Sequence, residues 1–284
     1  MAIVRTPPEA LAARRHALLD SYPGPALLAA GSPVSRNYPA SVYRYRAASH
    51  FLYFVGQAIP GAALLLWDGV ATLFVEPPEP GDDLWHGPQP GLDELRAAVG
   101  VDAVRPLDDL AGVLAGIGTP VATLPTQDAK SAAWLTSCLG RPIEPGSGVR
   151  LVDGTVDAAL ADAIVELRLR HDEAALAQIR AAAAATVRGF RAAMAATAAG
   201  STEAAVHAAL LQSLLTDGMD CSFAPIVSVR GEILHNEDHS GRTEQGDLLL
   251  ADAGGETPEG WAADVSRVWP VGGRFSATQR AMYD

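Results

Sequence analysis

Lysine is almost absent from this 284-residue chain, and acidic side chains outnumber basic ones. Lys130 is the only lysine, and 33 aspartates and glutamates against 21 lysines and arginines give a formal net charge of −12. A nucleic-acid binder needs clustered basic side chains to neutralise phosphates, whereas the arginines here are scattered. The composition therefore predicts a protein without a nucleic-acid partner.

Cysteines and long apolar runs are also scarce. Cys138 and Cys221 are too few for a disulfide framework and lack the spacing of a metal site, which suits a reducing compartment. No apolar run reaches the roughly 18 residues of a membrane span, and the first residues lack the apolar segment of a signal peptide. We therefore expect a cytoplasmic protein without a membrane partner.

The remaining composition predicts a globular chain of two domains. Hydrophobic residues make up 49% of the sequence and charged residues 19%, which suffices for a sizeable core. In residues 1–160 helical and strand-like patterns alternate, with a hairpin at Asp68-Gly69, as in a mixed α/β domain. An alanine-rich helix over 172–199 and a second helix precede further strand patterns, so residues 161–284 predict an α+β domain.

The stretch GDLLLADAGGETPEGWAADVSRVWP, residues 246–270, places two aspartates in apolar strands, where a buried carboxylate is costly. Two strands joined by a short turn-rich loop predict an antiparallel hairpin. Asp252 and Asp264 differ by an even number, so both can lie on the same face and repel each other. Arg267 has the opposite parity and should point away. A divalent metal, or two metals about 3.5–4 Å apart bridged by carboxylates, would compensate the charge.

A simpler interpretation of the same spacing stays open. Asp252 could cap the turn through hydrogen bonds to its own backbone, and Asp264 could pair with an arginine. The spacing by itself does not decide between this interpretation and the metal site.

The segment ILHNEDHSG, residues 233–241, offers two histidines four residues apart, which on a helix would resemble a zinc-binding pair. Glycines bracket the segment and strand patterns flank it, so we predict a loop instead. His235 could reach the face of the carboxylates and hydrogen-bond a substrate carbonyl. His239 and the two acids before it are expected to form a solvated turn, and His207 falls on a predicted helix.

These motifs together resemble the first half of the metal site of the Xaa-Pro aminopeptidases and prolidases, which are pita-bread metallopeptidases. The family's pattern is an Asp in a DAG-x-E motif, then an Asp followed by Ser- or Thr-Arg and a proline. Its positions are matched here by Asp252, Ala253, Gly254, Glu256, Asp264, Ser266, Arg267 and Pro270. The family's substrate-binding histidine precedes the first Asp by seventeen residues in an LH context, as His235 does.

The N-terminal half is similar to the small domain of bacterial aminopeptidase P proteins. The segment 43–66, YRYRAASHFLYFVGQAIPGAALLL, resembles the FRQ-x-SDF-x-YF-x-G signature of that domain. The segment DDLWHGPQPG resembles a loop that presents a tryptophan to a neighbouring subunit's active site, which makes Trp85 the equivalent residue. The resemblance thus implies a creatinase-like α/β domain, then a pita-bread domain, in a homodimer or homotetramer.

The same resemblance implies hydrolysis of the peptide bond that precedes a proline, with Xaa-Pro peptides as substrates. It implies two Mn²⁺ ions, with Asp252 on one metal and Asp264 bridging both. His235 would hold the substrate carbonyl or stabilise the tetrahedral intermediate.

The sequence departs from the family in one respect. The family site needs a histidine and two glutamates after the second aspartate, and neither residue type occurs beyond Asp264. The pita-bread domain is therefore incomplete here, and the sequence is either a fragment of a longer protein, which we favour, or a shortened relative. We expect the 284 residues by themselves to be inactive toward Xaa-Pro peptides, because two carboxylates hold a divalent metal weakly.

Three other interpretations are weighed against the aminopeptidase. A non-catalytic pita-bread scaffold has no need of an acidic pair, and a creatinase-like hydrolase acting without metal would have replaced Asp252 and Asp264. A prolidase-type dipeptidase shares these residues, but the N-terminal signature and the Trp85 loop favour the aminopeptidase.

Overall fold

A computed structural model describes residues 4–146 and 151–284, and these residues divide into two compact units. The N-terminal unit comprises Thr6–Ala174. The C-terminal unit comprises Ala175–Asp284 together with residues 4 and 5. The first unit mixes α and β structure, and the second combines long helices with a mainly antiparallel sheet, as the sequence patterns predict.

The N-terminal unit is built from short elements. Its helices are α1 (Pro8–Ser21), α2 (Ser49–Val55), α3 (Asp82–His86), α4 (Leu92–Val99), α5 (Leu110–Ala115), α6 (Ala129–Leu139) and α7 (Val156–Arg168), with a 3-10 turn at Leu107–Asp109. Its strands are β1 (Ala26–Ala29), β2 (Ser35–Tyr38), β3 (Ser41–Val42), β4 (Ala63–Trp67), β5 (Val70–Val75) and β6 (Ala103–Pro106).

The main sheet of this unit has the order β1-β4-β5-β6, in which only β5 and β6 run parallel. The β4–β5 turn confirms the predicted hairpin: Asp68 has φ 52° and Gly69 has φ 74°. Two left-handed residues in a row match the right-handed twist of the strands that they join. Separately, β2 and β3 form a small hairpin of their own.

Beneath the sheet, the core contains a buried guanidinium. Arg15 on α1 is 2% exposed and donates to the carbonyl oxygens of Phe54, Val99 and Gly100. Burial lowers the pKa of Arg15 to about 10, although Asp102 opposes this shift. Because carbonyl oxygens replace water around the charge, the guanidinium can stay buried.

The helix α7 belongs to the N-terminal unit, where it contacts α1. Its Asp157 accepts two hydrogen bonds from Arg141, at 2.6 and 2.7 Å, and one from the Thr123 amide at 2.8 Å. The predicted domain boundary at residue 160 lies inside this helix, and the change of unit comes after Ala174.

The C-terminal unit consists of two long helices, a short helix and five strands among the described residues. Its helices are α8 (Glu173–Ala196), α9 (Glu203–Thr216) and α10 (Ala277–Tyr283). Its strands are β7 (Asp220–Cys221), β8 (Ile226–Ser228), β9 (Leu248–Ala253), β10 (Gly255–Glu256) and β11 (Val265–Pro270). The three longer strands form an antiparallel sheet in the order β11-β9-β8.

Helices α8 and α9 share a core with one face of this sheet. The odd positions of β9 are fully buried, and they join one cluster of apolar residues: Ala181, Ala185, Phe190, Ala193, Val206, Leu210, Leu214, Leu249, Ala251, Ala253, Trp269 and Val271. Since side chains alternate along a strand, the even positions of β9, including Asp252, point to the other face. None of the helices in the described part of the chain is both long and apolar enough to cross a bilayer.

The half-buried His50 on α2 gives the N-terminal unit a testable pH dependence. Burial, reinforced by the charge of Arg168, lowers the pKa of His50 to about 4. The unfolded chain takes up this proton near pH 6.5, so the contribution to stability is complete above that pH and falls as the pH drops toward 4. We expect denaturant titrations to show a loss of roughly 2 kcal/mol over this range that His50→Gln removes.

His16 on α1 is exposed and provides the matched control. The substitution His16→Gln should leave the pH dependence of unfolding as it is in the unmodified chain. If His16→Gln reduced the pH dependence of the free energy of unfolding as much as His50→Gln does, the assignment to His50 would be contradicted.

Candidate active site

The two aspartates belong to one hairpin, with Asp252 inside the β9–β11 ladder and Asp264 directly before β11. Asp252 in β9 is opposite Ser266 in β11. The same register continues past the strands, because Ala263 donates to the Gly255 carbonyl at 2.9 Å and Glu256 pairs with Ala262. This confirms the predicted hairpin. In that register position 264 faces position 254, so both carboxylates lie on the face of the sheet opposite the helices.

The contacts of the carboxylates differ from those of the simpler interpretation. Asp252 accepts a hydrogen bond of 2.6 Å from the Ser266 hydroxyl across the ladder. Among residues 4–146 and 151–284, neither Asp252 nor Asp264 forms an ion pair with an arginine. Arg267 instead donates to the backbone carbonyl of Ser266. The negative charge on this face is thus left uncompensated by the described side chains.

Within these 284 residues, the two aspartates are less buried than their apolar sequence surroundings suggest. Asp252 is half-buried and Asp264 is exposed. The apolar residues around them pack toward the helices, whereas the even positions of β9 face outward.

Gly254 fixes the backbone between the two aspartates. A Cβ at this position would overlap the carbonyl oxygen of Ala263 on the opposite strand. Ser222 adds a second connection, because its amide donates to the Gly254 carbonyl at 3.0 Å and its hydroxyl to the Ala263 carbonyl at 2.8 Å. Sequence reasoning missed Ser222, which lies far from both aspartates along the chain and belongs to no motif.

His235 lies in the connection between β8 and β9. Residues 229–241, called here the His235 loop, contain turns and no helix, so the helical zinc pair is wrong and the predicted loop is confirmed. The His235 side chain is exposed. Within the described residues no group of three or more His, Cys, Asp or Glu side chains could hold a metal ion, so the structure does not assemble His235 and the two aspartates into a ligand cluster.

The prediction that His239 belongs to a solvated turn is wrong. Its ring stacks on His207 of α9, with centroids 4.1 Å apart and planes at 26°, and its Nε2 lies 3.1 Å from the Pro225 carbonyl oxygen. Burial, and secondarily the neighbouring His239, lowers the pKa of His207. The pair arises because the loop docks onto the helix, a contact that no local pattern encodes.

Trp85 lies on α3 in the N-terminal unit. Its side chain is 79% exposed, and that of neighbouring Leu84 is 81% exposed. Tryptophan carries a large apolar surface, so this exposure is unusual for a residue that acts only in its own unit. Its predicted role toward a partner stays a prediction.

Two family models match this chain. The model described as "Aminopeptidase P, N-terminal domain" matches residues 11–123, and the model described as "Metallopeptidase family M24" matches residues 177–284. The Xaa-Pro aminopeptidase 2 of Streptomyces coelicolor is 28% identical over 96% of this chain and 59% of its own length. The Xaa-Pro aminopeptidase of Escherichia coli is 28% identical over 95% of this chain and 64% of its own length.

Solved structures match as well. The Pseudomonas aeruginosa aminopeptidase PepP matches with a TM-score of 0.83 at 26% identity, covering 99% of this chain and 66% of that one. The Zn-substituted Escherichia coli aminopeptidase P in complex with product matches with a TM-score of 0.82 at 26% identity, over 98% and 65% of the two chains. These matches confirm the predicted fold class. The chain spans slightly less than two thirds of the length of these relatives.

The close approach at Gly254 predicts a severe loss of stability on Gly254→Ala. The new methyl group has to displace the opposite strand, which we expect to cost about 3 kcal/mol or more in the free energy of unfolding, at the upper end of the usual cost of overpacking. Gly246→Ala is the control: Gly246 has φ 92° but no atom within 4 Å of a Cβ, so only backbone strain of about 1–2 kcal/mol is expected. Equal losses in the two variants would contradict the close approach.

Proposed function

Because the chain belongs to metallopeptidase family M24 and carries the N-terminal domain of aminopeptidase P, we propose that the full-length protein is an Xaa-Pro aminopeptidase. It would hydrolyse the bond between an N-terminal residue and a following proline. The observation that carries this proposal is the pair Asp252 and Asp264, on one face of one hairpin and without a cationic partner among the described residues.

The side chains of Asp252 and Asp264 suit a hard divalent metal ion. Both groups are carboxylates, which suit Mn²⁺, and we propose that Asp252 and Asp264 would help to hold two Mn²⁺ ions in the full-length protein. The hydrogen bond from Ser266 leaves the second oxygen of Asp252 without a hydrogen bond from the described residues and fixes the carboxylate orientation. The metals would polarise the scissile carbonyl and activate water.

The chain's own residues supply orientation around that site. Gly254 and Ser222 hold the hairpin at the spacing between the two aspartates. His235, exposed on its loop, would donate a hydrogen bond to the substrate carbonyl oxygen, an interaction that strengthens as negative charge develops there. Such a donor lowers the barrier because it is already oriented before the reaction begins.

The exposed Trp85 favours an aminopeptidase over a prolidase. We propose that it binds substrate in a neighbouring subunit of a homodimer or homotetramer, where its 79% exposed ring would become covered. A cytoplasmic location is part of the same proposal, and the two free cysteines, Cys138 and Cys221, suit a reducing compartment.

The central test removes each aspartate in the full-length protein. Asp252→Asn and Asp264→Asn should each lower kcat/KM for an Xaa-Pro peptide by more than about a hundredfold, since losing even a group that only supports a ligand costs up to that much. Calorimetric titration with Mn²⁺ should show a matching loss of affinity.

Glu244 provides the control for this test, because its side chain is exposed in the same unit. Glu244→Gln removes one negative charge and should change neither kcat/KM nor Mn²⁺ affinity. Unchanged hydrolysis in Asp252→Asn, or its failure in the unmodified full-length protein with Mn²⁺, would overturn the proposed function.

A role of Trp85 across a subunit boundary predicts complementation. Trp85→Ala should leave the Tm unchanged and lower kcat/KM by about tenfold, as for a central aromatic anchor of an interface. Mixed with Asp252→Asn protein and allowed to exchange subunits, it should regain part of the activity, because an intact tryptophan then meets an intact aspartate pair. Activity no higher than the sum of the two separate variants would contradict this role.

A further inference from the structure

The buried carboxylate of Glu203 accepts a hydrogen bond from each end of the His235 loop. Glu203, the first residue of α9, is 2% exposed. Its Oε1 accepts a hydrogen bond of 2.7 Å from the Val229 amide, and its Oε2 accepts one of 3.2 Å from the Gly241 amide. His235 lies midway between these two residues in sequence. The two bonds therefore set the separation of the loop ends from which His235 projects.

The first amides of α9 also donate hydrogen bonds to the loop. The Glu203 amide donates to the Gly241 carbonyl at 3.0 Å, and the Ala204 amide donates to the His239 carbonyl at 3.0 Å. The first amides of a helix have no partner within the helix, so the loop carbonyls satisfy them. A carboxylate at this position also gains from the positive end of the helix dipole. The loop and the helix end are thus held by bonds in both directions.

The Glu203 carboxylate packs closely against the backbone of the loop. A Cβ on Gly241 would lie 2.7 Å from Cδ of Glu203, so the carboxylate rests directly on the loop backbone. One turn further along the same face of α9, His207 stacks on His239 of the loop. At the β8 end of the loop, the Asn236 side-chain amide donates a hydrogen bond of 3.1 Å to the Ser228 hydroxyl.

These contacts hold the loop ends and leave its tip free to meet a ligand. Ile233, Leu234 and His235 are exposed, with Leu234 at 78%. A turn bond of 2.9 Å from the Ile233 amide to the Arg230 carbonyl shapes the tip. The placement of His235 therefore depends on where the ends are anchored, and both ends converge on Glu203.

We propose that Glu203 is a positioning residue for His235, which acts by holding both ends of the His235 loop on the start of α9. This inference rests on the proposed function, in which His235 contacts the substrate. Charge-assisted hydrogen bonds to backbone amides are stronger than neutral ones. Glutamine keeps the shape of the side chain but offers one acceptor oxygen, so its amide group would face one of the two loop amides without a bond.

The first experiment measures hydrogen exchange of the loop amides in the full-length protein. In Glu203→Gln, the amides of Val229 and Gly241 should lose protection by tenfold or more, whereas those of β9 should keep theirs, which excludes global unfolding as the cause. Glu237→Gln is the matched control, because it removes the same charge from an exposed position on the same loop. Its exchange rates should equal those of the unmodified chain.

The second experiment asks whether Glu203 acts through His235, by a double-mutant cycle on kcat/KM in the full-length protein. Glu203→Gln should lower kcat/KM for an Xaa-Pro peptide by tenfold or more in the unmodified background and by less than twofold in a His235→Ala background. Glu203→Asp keeps the charge but is shorter, and it should fall between Gln and the unmodified protein. It also replaces Glu203→Gln in both experiments if that variant does not fold.

The outcomes separate this inference from the proposed function. Unchanged loop exchange in Glu203→Gln, or an equal loss of kcat/KM in both backgrounds, overturns the positioning role. Absence of Xaa-Pro hydrolysis in the unmodified full-length protein overturns the proposed function, and the exchange experiment still decides whether Glu203 anchors the loop.

Discussion

The alignment of a single hairpin determines what the C-terminal unit can do chemically. With Ser266 opposite Asp252 and Ala262 opposite Glu256, the two aspartates leave the sheet on the same side. A shift by one residue would turn one of them toward the apolar helices, where an unpaired carboxylate costs several kcal/mol. Gly254 and Ser222 keep the strands in this alignment, because no side chain larger than hydrogen fits between Gly254 and the opposite backbone.

The helix α9 supports both the sheet and the His235 loop. Its apolar side chains, Val206, Leu210 and Leu214, pack in the core with the buried positions of β9. Its first turn binds the loop that follows β8 through Glu203. The hairpin that carries the aspartates and the loop that carries His235 thus share one rigid support. A shared support keeps such groups in fixed relative positions, which favours a preorganised site.

Local sequence patterns predicted the elements but not all of their surroundings. The Asp-Gly turn after β4 and the even spacing of the aspartates follow from backbone geometry within a few residues, and the structure agrees with both. The exposure of Asp264 was not predictable, because it depends on which side of the sheet the helices cover. The stack of His239 on His207 was missed for the same reason, since it joins a loop to a helix distant in sequence.

The sequence by itself predicted the hairpin at Asp68-Gly69, the long alanine-rich helix and the hairpin whose even spacing places Asp252 and Asp264 on one face, because alternation and turn preferences act over neighbouring residues. The tertiary structure decided which face of the sheet the helices α8 and α9 cover, and that the Glu203 carboxylate binds the amides of Val229 and Gly241. These outcomes depend on how whole helices, strands and loops pack. Packing brings together residues that are far apart in the sequence, so local sequence patterns do not predict these contacts.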